Sequence, residues 1–191
     1  QQVMKGNKLI VLDPVTTDVA KLADYHIKLR PGTNVAVLNM MLYFIIESKL
    51  HKEDFILSRT EGFENFVKEI KKLDIDHLAK VAGVDKQQVK EAAIAYATAK
   101  NSMEFHGLGV TEQQQGSKTV MLIADLAMIT GNIGRPGVGV NPLRGQNNVQ
   151  GAADMGCQPH QGAGYFPVAD EKIQNFYTEK YGVVHPTKAG L

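Results

Sequence analysis

The chain has 191 residues, 43% of them hydrophobic, enough for one ordinary domain or two small ones whose core needs no disulfides. A net charge of +1 excludes an electrostatic argument for nucleic acid or an anionic membrane as partner. The single cysteine, Cys157, excludes an internal disulfide framework and a tetrathiolate zinc or iron–sulfur site built from this chain alone, and it points to a reducing, cytoplasmic compartment.

In chain order, residues 9–12 form a continuous apolar run stopped by Asp13-Pro14, the pattern of a strand buried on both faces of a parallel sheet. One or two helical turns over 17–24 and a second short strand over 26–29 follow. Past the Pro31-Gly32 break, an apolar helix is expected over 34–50. Its most apolar part, 35–46, contains Asn39 and is too short to span a bilayer, so neither export nor membrane insertion is supported. Phe63, Phe66, Val67 and Ile70 have the spacing of an amphipathic helix. Another helix over 77–81 stops at Gly83, and Val89, Ala92, Ala93, Tyr96 and Ala97 mark a third behind Asp85, with Gln88 placed to complete a capping box. Residues 103–106 read as a strand, Gly107-Leu108-Gly109 as a turn, 118–130 as a nearly all-apolar helix closed by Gly131, and 171–181 as a last helix. The rhythm is that of an α/β fold, with strands 9–12 and 103–106 expected in one parallel sheet.

Residues 1–106 hold four of the 18 glycines, whereas 107–164 hold twelve with only six charged residues among them. A glycine-rich, amide-rich stretch so poor in charge does not make a solvated linker, and it is expected to lie against another surface. In parallel sheets ligands bind beyond the carboxyl ends of the strands. Three loops qualify: Asp13-Pro14-Val15, Pro31-Gly32-Thr33-Asn34, and the stretch from Gly107 to Thr111. Asp13 suits a ribose diol or a guanine edge, with a strand-ending Asp turn the preferred reading from the residues alone; Gly107-Leu108-Gly109 suits close ligand approach, and equally a plain tight turn. No Gly-x-Gly-x-x-Gly or Walker loop is present, so an ordinary nicotinamide or ATP site is not indicated.

The segment 140–160 carries one cation, Arg144, among Asn141, Gln146, Asn147, Asn148 and Gln150. Amides both donate and accept, which suits a large heterocycle with mixed hydrogen-bonding edges. A lone guanidinium suits a small carboxylate held by two parallel bonds; a structural salt bridge or a helix cap is the competing reading.

The run Leu143-Arg144-Gly145-Gln146-Asn147-Asn148-Val149-Gln150-Gly151-Ala152, continuing into Asp154-Met155-Gly156, closely resembles the catalytic subunit of molybdenum- or tungsten-dependent formate dehydrogenases. Residues 9–34, the stretch Ser58-Arg59-Thr60-Glu61-Gly62-Phe63-Glu64, residues 107–111 and residues 126–134 carry the same resemblance. It implies a doubly wound, mostly parallel sheet of the Rossmann-like kind, incomplete here. Residues 1–140 would be a segment of the dinucleotide-binding domain, 141–168 a glycine- and amide-rich active-site segment, and 169–191 a helix and tail. It further implies formate oxidation at a bis-molybdopterin guanine dinucleotide centre holding molybdenum or tungsten. Such subunits carry an iron–sulfur domain and a Cys or selenocysteine metal ligand, with a catalytic histidine, upstream of the matching region. This chain is therefore expected to be an internal piece, inactive by itself, working with the remainder of the catalytic subunit and an electron-transfer subunit. By the same resemblance Arg144 orients formate, while Leu12, Asp13, Pro14, Val15, Gly32, Asn34, Leu108, Glu112 and Gln146 contact the cofactor, and no residue ligates the metal. Val15 stands where a basic residue is common in the family, and Glu112 where a neutral one is.

Two other readings stand beside this one: another molybdopterin oxidoreductase, such as an assimilatory nitrate reductase, and a non-catalytic scaffold domain keeping the cofactor fold. His106 and His160 are candidate proton shuttles, but neither falls on the family's catalytic histidine, and a structural role is preferred for both. The remaining histidines show no i, i+4 pairing, the methionines read as core filler, and Lys68, Lys71, Lys72 and Lys80 as a solvated helix face.

Overall fold

A computed structural model describes residues 5–186 and 188–190. The chain divides into two compact units, residues 1–143 and 144–191.

In the first unit, β1 (Ile10–Leu12) and β2 (Tyr25–Ile27) pair in parallel with Ile10 opposite Tyr25, and a 3-10 turn at Ala20–Leu22 lies between them in sequence. Then come α1 (Asn34–Glu47), α2 (Glu53–Arg59), α3 (Phe63–Ile70), α4 (Ile75–Ala82) and α5 (Lys86–Thr98), followed by β3 (Met103–His106), α6 (Leu108–Thr111), α7 (Gly116–Ile129) and β4 (Gly139–Pro142). β3 and β4 also pair in parallel, with Met103 opposite Gly139 and His106 opposite Pro142.

The α/β class and the parallel pairing are as the sequence leads one to expect. Strands 9–12 and 103–106, however, do not share a sheet: each pair is a separate two-stranded sheet. What joins the pairs is helical. α1 is apolar on every side, with Val37, Met40, Leu42 and Ile45 fully buried, and it packs against α4, α5 and α7. α5 in turn packs on β2, and α7 on β3 and β4. A helix apolar all round belongs inside a core, and this one links the two strand pairs through α5 and α7.

Local chemistry explains most helix ends. Asp74 accepts from the His77 amide at 2.9 Å and Asp85 from the Gln87 amide at 2.9 Å, each satisfying an orphan first-turn N–H. The bond behind Asp85 goes to Gln87, and the reciprocal bond from Gln88 expected of a capping box is not among those of the described residues. At the other end of α4, the Arg30 guanidinium donates to the carbonyls of Lys80 at 2.9 Å and Val81 at 3.2 Å, tying the β2–α1 loop to a helix carboxyl end. The expected Gly107–Gly109 turn is instead the start of α6, because Val110 N and Thr111 N both return to Gly107 O.

The second unit contains α8 (Val149–Asp154), a 3-10 turn at Ala163–Tyr165 and α9 (Glu171–Tyr181). α9 opens on Asp170, whose carboxylate accepts from Lys172 N and Ile173 N, and Tyr177 buries its ring between α9 and the preceding loop. No helix of the described residues is long and apolar enough to cross a membrane.

Candidate functional site

The β1–β2 pair delivers two of the expected loops to one end. Leu12 closes β1. Asp13 continues the ladder, donating its N–H to Ile27 O at 3.3 Å, and turns the chain by accepting Val15 N on Oδ1 at 2.7 Å. His26 Nε2 lies 3.0 Å from Asp13 O and braces the same turn. Pro14 and Val15 are exposed. At the carboxyl end of β2, Thr33 Oγ1 donates to Arg30 O at 2.6 Å, and Asn34 opens α1. Gly32 between them has φ +80, and a β-carbon there would meet nothing within 4 Å, so the backbone is both left-handed and open to a ligand.

The β3–β4 pair delivers the third loop. Leu108, exposed, opens α6, and Glu112 closes it by donating its N–H to Leu108 O at 2.8 Å. Leu143 N donates to His106 O at 2.6 Å, extending the pairing past β4. His106 itself is buried, 8% exposed, and burial pulls its imidazole below the usual histidine range; its Nδ1 finds no partner among the described residues. A neutral, enclosed imidazole fits the structural role better than a shuttle.

Sequence reasoning passed over Glu104, two residues before His106 on the same strand face. The Tyr96 hydroxyl donates to Glu104 Oε1, and Glu104 Oε2 is buried without a partner. Burial pushes the Glu104 carboxyl up to about 7, against the lowering effect of the Tyr96 bond. The only sequence signal was an acid at an inward position of a strand. Because the folded value lies above the unfolded one, stability is greatest below the ordinary glutamate range and falls as pH rises through about 7. His106, with its lowered value, acts in the opposite direction in the same window, so the readout is the difference between variants: relative to Glu104→Gln, which keeps an acceptor without a charge, the melting temperature of the unaltered chain is expected to fall between pH 5 and pH 8. An unchanged slope in Glu104→Gln would place the titrating group elsewhere.

In the second unit, Arg144 is exposed and makes no ion pair and no side-chain hydrogen bond among the described residues, so neither the salt-bridge nor the cap reading is realised there. Gln146 is likewise exposed, in the turn before α8. Asn148, at the head of α8, has φ +51. Cys157 and His160 are exposed.

The family profile of the molybdopterin oxidoreductases matches residues 1–185. The chain belongs to the molybdopterin oxidoreductase family. It is 44% identical to formate dehydrogenase H of Escherichia coli over 93% of this chain and 25% of that protein. It is 48% identical to the F420-dependent formate dehydrogenase subunit alpha of Methanocaldococcus jannaschii over 87% of this chain and 25% of that protein. The assimilatory nitrate reductase catalytic subunit of Bacillus subtilis is more distant, 34% identical over 93% of this chain and 25% of that protein. Among solved structures, acetylene hydratase from Pelobacter acetylenicus superposes with a TM-score of 0.68 at 24% identity, covering 93% of this chain and 23% of that one, which shows the fold. The chain spans about a quarter of the length of the curated relatives it matches.

A molybdopterin oxidoreductase implies a molybdopterin cofactor, and the strand-end loops fit one. The open backbone at Gly32 and at Gly109, where a β-carbon would also meet nothing within 4 Å, leaves room for a ligand against the main chain. Among the described residues Asp13 uses only Oδ1 internally, leaving Oδ2 to accept from the N–H edge of a heterocycle. At the two departures from the family pattern, Val15 presents exposed apolar surface and Glu112 an exposed carboxylate beyond α6.

Proposed function

We propose that this chain forms part of the catalytic subunit of a formate dehydrogenase, which removes two electrons and a proton from formate to leave carbon dioxide. The observation that carries the reading is Arg144, an exposed guanidinium without a protein counter-ion among the described residues, set in a segment of neutral amides. Such a group binds a small carboxylate through two parallel N–H bonds and orients its C–H bond. The 44% to 48% identity to formate dehydrogenases, against 34% to a nitrate reductase, supports formate as the substrate.

The proposed cofactor is bis-molybdopterin guanine dinucleotide with molybdenum or tungsten, which when bound supplies the two-electron acceptor. On this chain Leu12, Asp13, Pro14, Val15, Gly32, Asn34, Leu108, Glu112 and Gln146 would hold it: Asp13 and Glu112 by accepting from heterocycle N–H groups, Asn34 and Gln146 through their amides, the others by backbone and apolar contact. The metal ligand and an iron–sulfur cluster are assigned to parts of the subunit outside this chain. The name "subunit alpha" of the relatives supports further subunits, one of which the proposal makes the electron-transfer partner, and the single cysteine supports a reducing, cytoplasmic compartment.

The test is a purified complete subunit offered formate or nitrate with an artificial electron carrier. Formate-dependent reduction of the carrier is expected; nitrate-dependent oxidation of the reduced carrier, without formate turnover, would favour the nitrate reductase reading instead. In the same enzyme Gln146→Ala is expected to lower pterin content by at least about twofold while leaving the formate KM of the loaded fraction near its original value. Full pterin content with an altered KM would move Gln146 from cofactor to substrate.

A further inference from the structure

The unit of residues 144–191 holds a polar triad that none of the roles above explains. Tyr165 has φ +64, a left-handed backbone that a residue with a side chain keeps only when its surroundings hold it there. Its hydroxyl donates to Asp154 Oδ1 at 2.5 Å and accepts from Gln150 Nε2 at 2.6 Å, while the Gln150 amide also reaches Asp154 Oδ1 at 3.2 Å. Gln150 and Asp154 are one helical turn apart on α8, so a single hydroxyl bridges the face of that helix.

The loop carrying Tyr165 is held from its other side by α9. The Tyr177 hydroxyl donates to Ala163 O at 2.6 Å, and the Tyr177 ring fills the space that a side chain at position 162 would need, lying 2.8 Å from where its β-carbon would be. α9 thus fixes the loop, the loop fixes Tyr165, and Tyr165 fixes α8. The phenol is raised above its ordinary range, chiefly by the Asp154 bond, with Arg144 close enough to act in the opposite direction; the Asp154 carboxyl is lowered, chiefly by the same bond. Exposed hydrogen bonds of this kind add little to stability in water, so stability alone does not account for a left-handed tyrosine at this position.

We propose that Tyr165 is a positioning residue for Arg144: by clamping Gln150 and Asp154 it holds α8, and with it the turn of residues 144–148, in the orientation that presents the guanidinium to formate. The proposal rests on the reading of Arg144 as the formate-binding cation.

The test uses the holoenzyme. Tyr165→Phe keeps the ring and the backbone and removes the clamp, and it is expected to raise formate KM about fivefold with kcat within about twofold and pterin content unchanged. Asp154→Ala is expected to do the same, the double variant to be no worse than either single one, and Asp154→Asn, which keeps an acceptor, to recover most of the original KM. Amide hydrogen exchange over residues 151–154 is expected to quicken in Tyr165→Phe whether or not the enzyme turns over. A KM within twofold of the original in Tyr165→Phe, multiplying effects in the double variant, or unaltered exchange would each overturn the positioning role. Quickened exchange with an unaltered KM in both Tyr165→Phe and Arg144→Ala would locate the failure in the Arg144 reading, with the clamp real but serving another end.

Discussion

Replacing Arg144 with lysine in the complete enzyme is expected to lower formate kcat/KM at least about tenfold, and replacing it with alanine to lower it further. Formate offers little apolar surface, so its binding must come from charge-assisted hydrogen bonds, each on the order of 1.5 to 3 kcal/mol. Lysine keeps the charge and loses the planar fork. Losing one of two bonds at about 1.4 kcal/mol per decade gives the tenfold figure as a lower bound. Because Arg144 has no protein counter-ion among the described residues, its removal strands no buried carboxylate, and the loss should show in catalysis rather than in folding. Steady-state kinetics beside pterin content and a melting curve check this. A kcat/KM within twofold of the original in Arg144→Ala, or a loss of pterin at unchanged melting temperature, would remove Arg144 from the substrate.

Gly156→Ala is expected to destabilise the 144–191 unit by at least about 2 kcal/mol, the sum of a left-handed backbone and a collision that neither side can relieve by rotation. Gly156 has φ +87, and a β-carbon there would lie 2.5 Å from Ala163 N and 2.7 Å from Gly162 C, both main-chain atoms. The glycine is therefore what lets the end of α8 approach the loop that carries Tyr165. Gly32→Ala is the control, since its φ is also positive but its surroundings are open, and its cost should stay near 1 kcal/mol, roughly the backbone contribution alone. The six tyrosines are shared by the two units, so the readout is amide hydrogen exchange under urea, followed over residues 149–155 for Gly156→Ala and over residues 34–47 for Gly32→Ala. A loss in Gly156→Ala no larger than that in Gly32→Ala, each read on its own unit, would show that the two backbones are not in contact at residue 156.

The parts of the fold legible in the sequence are those whose causes lie within a few residues. α9 at Glu171–Tyr181 and β3 at Met103–His106 match their expected bounds, and Asp85, read as the residue opening its helix, caps it with a side chain two residues from the amide it satisfies. β4 was not legible. Its Gly-Val-Asn-Pro has no strand preference of its own, and it is extended because the main chain of β3, 36 positions earlier, pairs with it. α2 was not legible either, because its seven residues show no clean apolar period.

The candidate site divides in the same way. Composition and position singled out Asp13, Gly32, Leu108, Arg144 and Gln146 as loop residues beyond strands or within the amide-rich segment, with structural alternatives open for each, and it was the resemblance carried by the run from Leu143 to Gly156 that pointed to the family the comparison shows. Tertiary structure alone decided that the β1–β2 and β3–β4 pairs stand as separate sheets around α1, that Glu104 is driven toward neutrality by burial, that Arg144 is left without a counter-ion among the described residues, and that Tyr165 is wedged between α9 and α8. The physical reason is range. A cap, a turn or an amphipathic period is settled by atoms a few bonds apart, whereas strand partners, burial of a charge and the packing of one helix against a distant loop depend on which surfaces meet when the whole chain closes.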